Sequence, residues 1–316
     1  MKKQIFGLFL ALTLALSSCA PAARSDQGLH ILCTTYPLYL FTTAVTEGAE
    51  GVEVTLLVNS QTSCLHDYTL TVADMKAIED ADVIVMNGAG LEEFMSNPLA
   101  QSNASVIDCS EGMELLPSLE HEGHEHHGHN HSHEEELDPH YWMDPHRAGQ
   151  MVERIANGLA TLETDGAEAY RANASNALNA LNALSQVDPW YRDVVFPPYP
   201  LITFHDGFQY FAAAEDFTLL RAIEEEDGST VSAAEIKELA ALIESENIPA
   251  IFVEKNGSRS AAEVLSRETG CQVYELDMLM SGDGRGIQPY LDAMDANLKS
   301  VLTAFSEDTR KEAGPS

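Results

Sequence analysis

Basic residues are scarce in this chain. Its 316 residues include 17 Lys and Arg against 50 Asp and Glu, which gives a formal net charge of −33 at pH 7. A nucleic-acid-binding surface needs a basic patch that faces the phosphates, so this balance argues against nucleic acid as a partner. The acidic excess suits a soluble protein on a cell exterior or a protein that attracts cations.

Long apolar runs are also lacking, with one exception near the N-terminus. Two lysines precede the run IFGLFLALTLAL at 5–16, which is too short to span a bilayer as a mature helix. A positive start followed by a short apolar stretch is typical of a secretory signal peptide. The sequence therefore predicts an exported protein.

The apolar run ends in LSSC, which is similar to a bacterial lipobox whose cysteine becomes the lipidated N-terminus. We predict a signal peptide at 1–19 with lipidation of Cys19, followed by a flexible tether at 20–28. The mature protein is then expected to be lipid-anchored to the cell membrane on its extracytoplasmic face. Ordinary secretion with a small-residue cleavage site is the alternative.

Cysteine is uncommon, with five residues in the whole chain. Apart from Cys19, the cysteines are Cys33, Cys64, Cys109 and Cys271. An exported protein can form disulfides, but pairing cannot be deduced from spacing, and this wide spacing matches no zinc-ribbon pattern. We expect a structural role for these four residues and predict no particular bridge.

Short apolar runs rich in β-branched residues recur along the chain and alternate with helical patterns. The runs cover 30–37, 52–58, 81–88, 105–110, 200–207, 217–223, 250–257 and 271–277. Capping-box spacing, which marks a helix start, occurs in the pairs Thr71/Asp74, Ser232/Glu235 and Ser260/Glu263. Alternating strands and helices predict an α/β fold with parallel sheets.

An alanine-rich segment lies between the two groups of strands. No Gly or Pro interrupts residues 167–187, and Ala and Leu are strong helix formers. We predict two Rossmann-like lobes, at 29–164 and 196–316, joined by a long rigid backbone helix at 165–195. One more packed helix inside a single domain is the alternative.

Histidine is concentrated in one short segment. Seven of the 12 histidines lie in a predicted disordered loop at 121–133 that has no apolar residue. They are His121, His124, His126, His127, His129, His131 and His133. Imidazole binds zinc, copper and nickel well, so the loop predicts weak and variable binding of transition metals rather than a defined site.

Three other histidines lie where a side chain could be positioned. His66 is in a loop before a predicted helix start, His140 is in DPHYWMDP, and His205 is at the carboxyl end of a predicted strand. Asp277 has the same strand-end position, where open α/β sheets bind ligands. Three imidazoles and one carboxylate could close a four-coordinate zinc site, although each histidine taken alone is more often a structural polar residue.

Several ordered motifs resemble the zinc branch of the solute-binding proteins of metal ABC transporters. They are LHDYTLTVADMKAIEDADVIVMNGAGLEEFM at 65–95, DPHYWMDP, FHDGFQYF, and the segment AIFVEKNGSRSAAEVLSRETGCQVYELDML. The resemblance implies that His66, His140, His205 and Asp277 bind the metal, with Glu254 as the nearby alternative to Asp277. Manganese-binding relatives usually carry a carboxylate at the third position, so His205 favours Zn²⁺, with Mn²⁺ as the alternative.

The resemblance implies a monomeric receptor that binds zinc with high affinity and delivers it to an ABC permease powered by an ATPase. It also implies that the protein is not an enzyme. Three histidines with an open fourth position could instead activate water, as in a zinc hydrolase. A surface metal buffer or adhesin is a further alternative.

Overall fold

The computed structural model describes residues 28–58, 65, 68–119, 137–184, 200–223 and 231–312. The predicted signal peptide, the lipidated Cys19 and the His-rich loop at 121–133 lie outside the described residues. So do His66 and Cys64. No described helix is long and apolar enough to cross a membrane.

The N-terminal half contains a sheet of four parallel strands. The strands are β1 (Leu29–Cys33), β2 (Val52–Leu56), β3 (Val83–Met86) and β4 (Ser105–Asp108), in the order β2-β1-β3-β4. Three helices alternate with them: α1 (Tyr36–Val45), α2 (Val72–Asp80) and α3 (Ser96–Gln101). The first four strand predictions are confirmed.

The C-terminal half repeats this arrangement. Its strands are β5 (Pro200–Phe204), β6 (Thr218–Ala222), β7 (Ala250–Glu254) and β8 (Gln272–Leu276), all parallel, in the order β6-β5-β7-β8. Its helices are α6 (Gln209–Ala214), α7 (Ala233–Ser245), α8 (Ser260–Thr269) and α9 (Gln288–Glu312). The other four strand predictions and the α/β class are therefore confirmed as well.

Two helices of equal length come between the sheets in the chain. They are α4 (Pro145–Leu162) and α5 (Ala167–Leu184), which pack against each other. Gly149 allows a close approach, since a Cβ there would lie 3.0 Å from Leu178 Cδ2. Helix α5 falls within the predicted linking helix, whose continuation past Leu184 is outside the described residues, and the lobe boundaries stay predictions.

One apolar core contains residues from both sheets. Ile31 and Val85 of the N-terminal sheet belong to the same buried cluster as Leu201 and Phe252 of the C-terminal sheet. A smaller cluster, which includes Ile202 and Val253, fills the opposite face of the C-terminal sheet. Because alternate residues of β5 and β7 serve the two clusters, a residue's position along the strand determines whether it faces the shared core.

Two of the three predicted capping boxes are present, at Thr71/Asp74 and at Ser232/Glu235. The prediction for Ser260 is wrong, because α8 already includes that residue and the cap position belongs to Arg259. The Ser260 N–H instead donates to the Ser258 hydroxyl at 3.3 Å. Helix α8 therefore begins without a side-chain cap from Arg259 on its first turn.

The described cysteines Cys33, Cys109 and Cys271 are buried free thiols. Burial raises the pKa of Cys33 to about 12, against a smaller opposing effect of a hydrogen bond with Thr42. These thiols therefore stay protonated and behave as small apolar core residues.

Candidate metal centre

The segment that carries His140 is a short buried turn between the two halves. Asp138 and His140 are 2 % and 4 % exposed, and a 3-10 turn at Tyr141–Met143 leads from them into α4. Asp144 caps α4 by accepting the His146 N–H at 2.8 Å. The two Asp-Pro pairs of DPHYWMDP therefore have different structural roles. The first lies next to His140, and the second begins helix α4.

The Asp138 carboxylate orients the His140 ring. Its Oδ1 lies 2.9 Å from His140 Nδ1 and also accepts the His140 backbone N–H at 2.9 Å. Burial would raise the pKa of Asp138, but the contacts with His140 and the hydrogen bond from Gln209 outweigh it and lower that pKa. A carboxylate acceptor at Nδ1 keeps the proton there, so Nε2 presents the lone pair to a metal.

His205 follows β5 directly and is 6 % exposed. The Thr203 hydroxyl donates to the His205 carbonyl at 3.0 Å and fixes the turn. Gly207 leaves room for the ring, because a Cβ at that position would lie 2.8 Å from His205 Cδ2 and 2.3 Å from Met278 Cε. A larger residue at 207 would push the imidazole out of place.

The rings of His140 and His205 lie next to each other. Their centroids are 5.3 Å apart and their planes are 87° from parallel. Two imidazoles that bind one tetrahedral zinc ion through nitrogens about 2 Å from it would have centroids about 5 Å apart. The pair therefore has the separation that a shared zinc ion requires.

Hydrogen bonds from the C-terminal half hold the His140 segment from one side. Gln209 Nε2 donates to Asp138 Oδ2 at 3.1 Å, and the Tyr210 hydroxyl donates to the Asp138 carbonyl at 2.9 Å. Both residues are in α6, which begins at Gln209, shortly after His205. The motifs DPHYWMDP and FHDGFQYF are thus joined directly, and the two imidazoles share one rigid frame.

A second set of bonds holds the same segment from the β8 side. Trp142 Nε1 donates to the Met278 carbonyl at 3.0 Å, and the Tyr290 hydroxyl donates to the Trp142 carbonyl at 2.7 Å. On the N-terminal side, Asn87 Nδ2 donates to the Pro139 carbonyl at 2.9 Å. The backbone around His140 is therefore fixed by three separate parts of the fold.

Buried Glu92 supports the loop that carries Asn87. Its carboxylate accepts the Thr34 hydroxyl at 2.6 Å and the backbone N–H groups of Asn87 and Gly88 at 2.7 and 2.9 Å. Burial raises the pKa of Glu92 to about 7, and these hydrogen bonds oppose the rise. Glu92 thus supports the His140 segment through Asn87, which bonds the Pro139 carbonyl.

Two carboxylates lie near the carboxyl ends of β7 and β8. Glu254 is 3 % exposed, and its buried Oε2 has no hydrogen-bond partner among the described residues. Burial, and then the charge of Asp277, raise the pKa of Glu254 to about 8. Asp277 is more exposed, and its Oδ2 accepts from Lys255 Nζ at 2.8 Å. A cation near this edge would stabilise the ionised form of the Glu254 carboxyl, which burial otherwise disfavours.

Of the four predicted ligands, the structure brings His140 and His205 together. His66 is outside the described residues. Within the described part of the chain, no three His, Cys, Asp or Glu side chains gather as a metal-binding group. The assignment of His66 and Asp277 therefore stays a prediction.

The sequence reasoning missed the residues that hold the histidines. Asp138 could have been considered, because the second ring nitrogen of a metal-binding histidine commonly bonds a carboxylate and Asp138 is the nearest carboxylate before His140 in the sequence. The roles of Gln209, Tyr210 and Tyr290 have no local signal, since their partners are 71, 72 and 148 residues away in the chain.

Comparison with known proteins gives one family for most of the chain. A family model described as "ZnuA: Zinc-uptake complex component A periplasmic" matches residues 31–304. Zinc-binding lipoprotein AdcA of Streptococcus pneumoniae is 28% identical over 323 residues, which cover 100% of this chain and 62% of AdcA. The chain thus spans less than two thirds of that relative.

Two further matches bear on the metal. Manganese-binding lipoprotein MntA of Halalkalibacterium halodurans is 27% identical over 77% of this chain and 78% of its own. The crystal structure of the Zn(II)-bound ZnuA-like domain of Streptococcus pneumoniae AdcA superposes with a TM-score of 0.69 at 27% identity, covering 88% of this chain and 98% of that one.

Proposed function

The chain belongs to the family of zinc-uptake complex component A proteins, and from this we propose that it is an extracytoplasmic receptor that binds zinc with high affinity and delivers it to an ABC permease for uptake. The family is one of solute-binding receptors rather than enzymes. The observation that carries the proposal is the pair of buried imidazoles, His140 and His205, whose ring centroids are 5.3 Å apart.

We propose His66, His140, His205 and Asp277 as the four ligands of one zinc ion. Asp138 supports this set, because it fixes the His140 tautomer through Nδ1. An imidazole at His205 is a softer ligand than a carboxylate, which favours zinc over manganese. Manganese stays the alternative metal, since one relative is named for binding it.

The fold limits how the ion can be released. The His140 segment is bonded to α6, to Met278 and to Tyr290, so separating His140 from His205 would break several buried hydrogen bonds at once. We therefore propose that the zinc ion leaves His66 and Asp277 before it leaves the two buried imidazoles, which keep their arrangement.

We further propose that Cys19 is lipidated, which fits the lipoprotein name of the relative AdcA. We also propose that the receptor is a monomer and that an ATPase powers the permease. The His-rich loop at 121–133 would gather zinc ions weakly near the receptor. No catalytic role is proposed for the bound ion.

Titration calorimetry and elemental analysis of the purified protein test this function. We expect one tight zinc ion per chain in the wild type and its loss in His205→Ala. His146→Ala is the matched control, because His146 is exposed on α4 and should bind zinc as the wild type does. Equal zinc content in His205→Ala and wild type would contradict the proposal, and turnover of model esters by the zinc-loaded protein would support a hydrolase instead.

A further inference from the structure

The Asp277 carboxylate has a cationic partner from within the chain. Its Oδ2 accepts from Lys255 Nζ at 2.8 Å, and its Oδ1 accepts the Leu279 backbone N–H at 2.8 Å. Both oxygens are therefore engaged by protein groups. A metal ion that binds Asp277 has to displace Lys255 or share the carboxylate with it.

The sheet register brings Lys255 and Asp277 together. Glu254 of β7 is paired with Leu276 of β8, and each of the two residues comes directly after one of these. The Lys255 N–H donates to the Leu276 carbonyl at 2.9 Å, which extends the pairing by one step. Their proximity is thus a property of the backbone, and it does not depend on a chance arrangement of long side chains.

The two partners differ in how firmly they are held. Asn297 fixes the Asp277 backbone on both sides, since its Oδ1 accepts the Asp277 N–H at 2.7 Å and its Nδ2 donates to the Asp277 carbonyl at 2.8 Å. The Lys255 side chain is 59% exposed and ends a flexible four-carbon stem. The ammonium can leave while the carboxylate stays in place.

We propose that Lys255 competes with the metal ion for Asp277 and thereby lowers zinc affinity and speeds zinc release. This inference rests on the proposed role of Asp277 as a ligand. Zinc binding has to break the ion pair and bring a divalent cation near an ammonium, both of which oppose binding. When the ion leaves, the ammonium returns to the carboxylate and hinders rebinding.

Lys255→Met tests the inference, because it removes the charge and keeps a long side chain. The wild type and the variant are compared by competition with a chromophoric zinc chelator and by stopped-flow zinc release. Exposed ion pairs have small energies, so we expect zinc to bind about two- to fivefold tighter in the variant and to leave more slowly.

Lys299→Met is the matched control. Lys299 is 58% exposed and pairs with Asp295 one turn away on α9, so this change removes an equally exposed charge and another ion pair. We expect its zinc affinity to match that of the wild type. An affinity of Lys255→Met that equals that of Lys299→Met, or falls below the wild type, would overturn the inference.

A double-mutant cycle separates this inference from the proposed function. Asp277→Asn should weaken zinc binding, and adding Lys255→Met to it should have no further effect, because the contested carboxylate is gone. If the double variant binds zinc more tightly than Asp277→Asn alone, Lys255 does not act by competing for Asp277. Unchanged zinc binding in Asp277→Asn would instead overturn Asp277 as a ligand, whereas a weakened Asp277→Asn with an unaltered Lys255→Met would overturn only the role of Lys255.

Discussion

Asp138→Asn is the sharpest test of how the site orients its histidines. The side chain is 2% exposed, and its Oδ1 meets both His140 Nδ1 and the His140 backbone N–H at 2.9 Å. Asparagine keeps the shape and one acceptor oxygen but removes the negative charge that makes His140 a better donor to the metal. Its amide would also turn a donor toward Gln209 Nε2, which now donates to Asp138 Oδ2.

Loss of an outer carboxylate partner weakens metal affinity by about 10- to 100-fold in metal–histidine sites. We expect the lower end for Asp138→Asn, about tenfold or 1.4 kcal/mol, because the asparagine oxygen still accepts from the ring. A zinc competition titration at pH 7 measures the change.

Asp144→Asn provides the control within the same motif. Asp144 is also buried and precedes a proline, but it caps α4 and bonds Arg147 rather than a predicted ligand. Asparagine caps helices as well as aspartate does, so we expect the change to cost at most about 1 kcal/mol of unfolding free energy, through the lost ion pair with Arg147, and no zinc affinity. Wild-type affinity in Asp138→Asn, or an equal loss in both variants, would refute the orienting role of Asp138.

Three further predictions concern stability and stoichiometry. The folded-state pKa of Glu254, about 8, lies above its ordinary 4.5, so its contribution to stability is complete below about pH 4.5 and is lost as pH rises through about 8. Glu254→Gln should remove up to about 5 kcal/mol of this pH dependence in urea melts with chelator, and an unchanged pH profile would count against it. Tyr210→Phe should cost about 1–3 kcal/mol by leaving the buried Asp138 carbonyl without its donor; a wild-type urea midpoint would contradict this. Deleting 121–133 should leave one tight zinc ion and remove weaker ones in calorimetry, whereas loss of the tight ion would show that the loop supplies it.

The strands were predictable because each is a short run with a strong local signal. A strand such as β7, with five buried residues in AIFVE, cannot be stable outside a sheet interior. The prediction of a cap at Ser260 was wrong because the spacing of a capping box also occurs inside a helix. Local pattern thus determined which elements form, and it was less accurate about where they begin.

The contacts around the site depend on the tertiary fold, so no local pattern contained them. Trp142 and Tyr290 lie far apart in the chain and meet because both sheets share one core. Lys255 and Asp277 meet because β7 and β8 are neighbours in register. The sequence identifies histidines near strand ends as candidate ligands. It does not identify the residues that orient these histidines, or the lysine that pairs with Asp277.

Anomalous diffraction at the zinc edge from crystals of the zinc-loaded protein tests the central claim most directly. We predict one strong peak about 2 Å from both His140 Nε2 and His205 Nε2. A strong peak that touches neither ring, or two peaks with one imidazole each, would contradict a shared ion and with it the proposed receptor site.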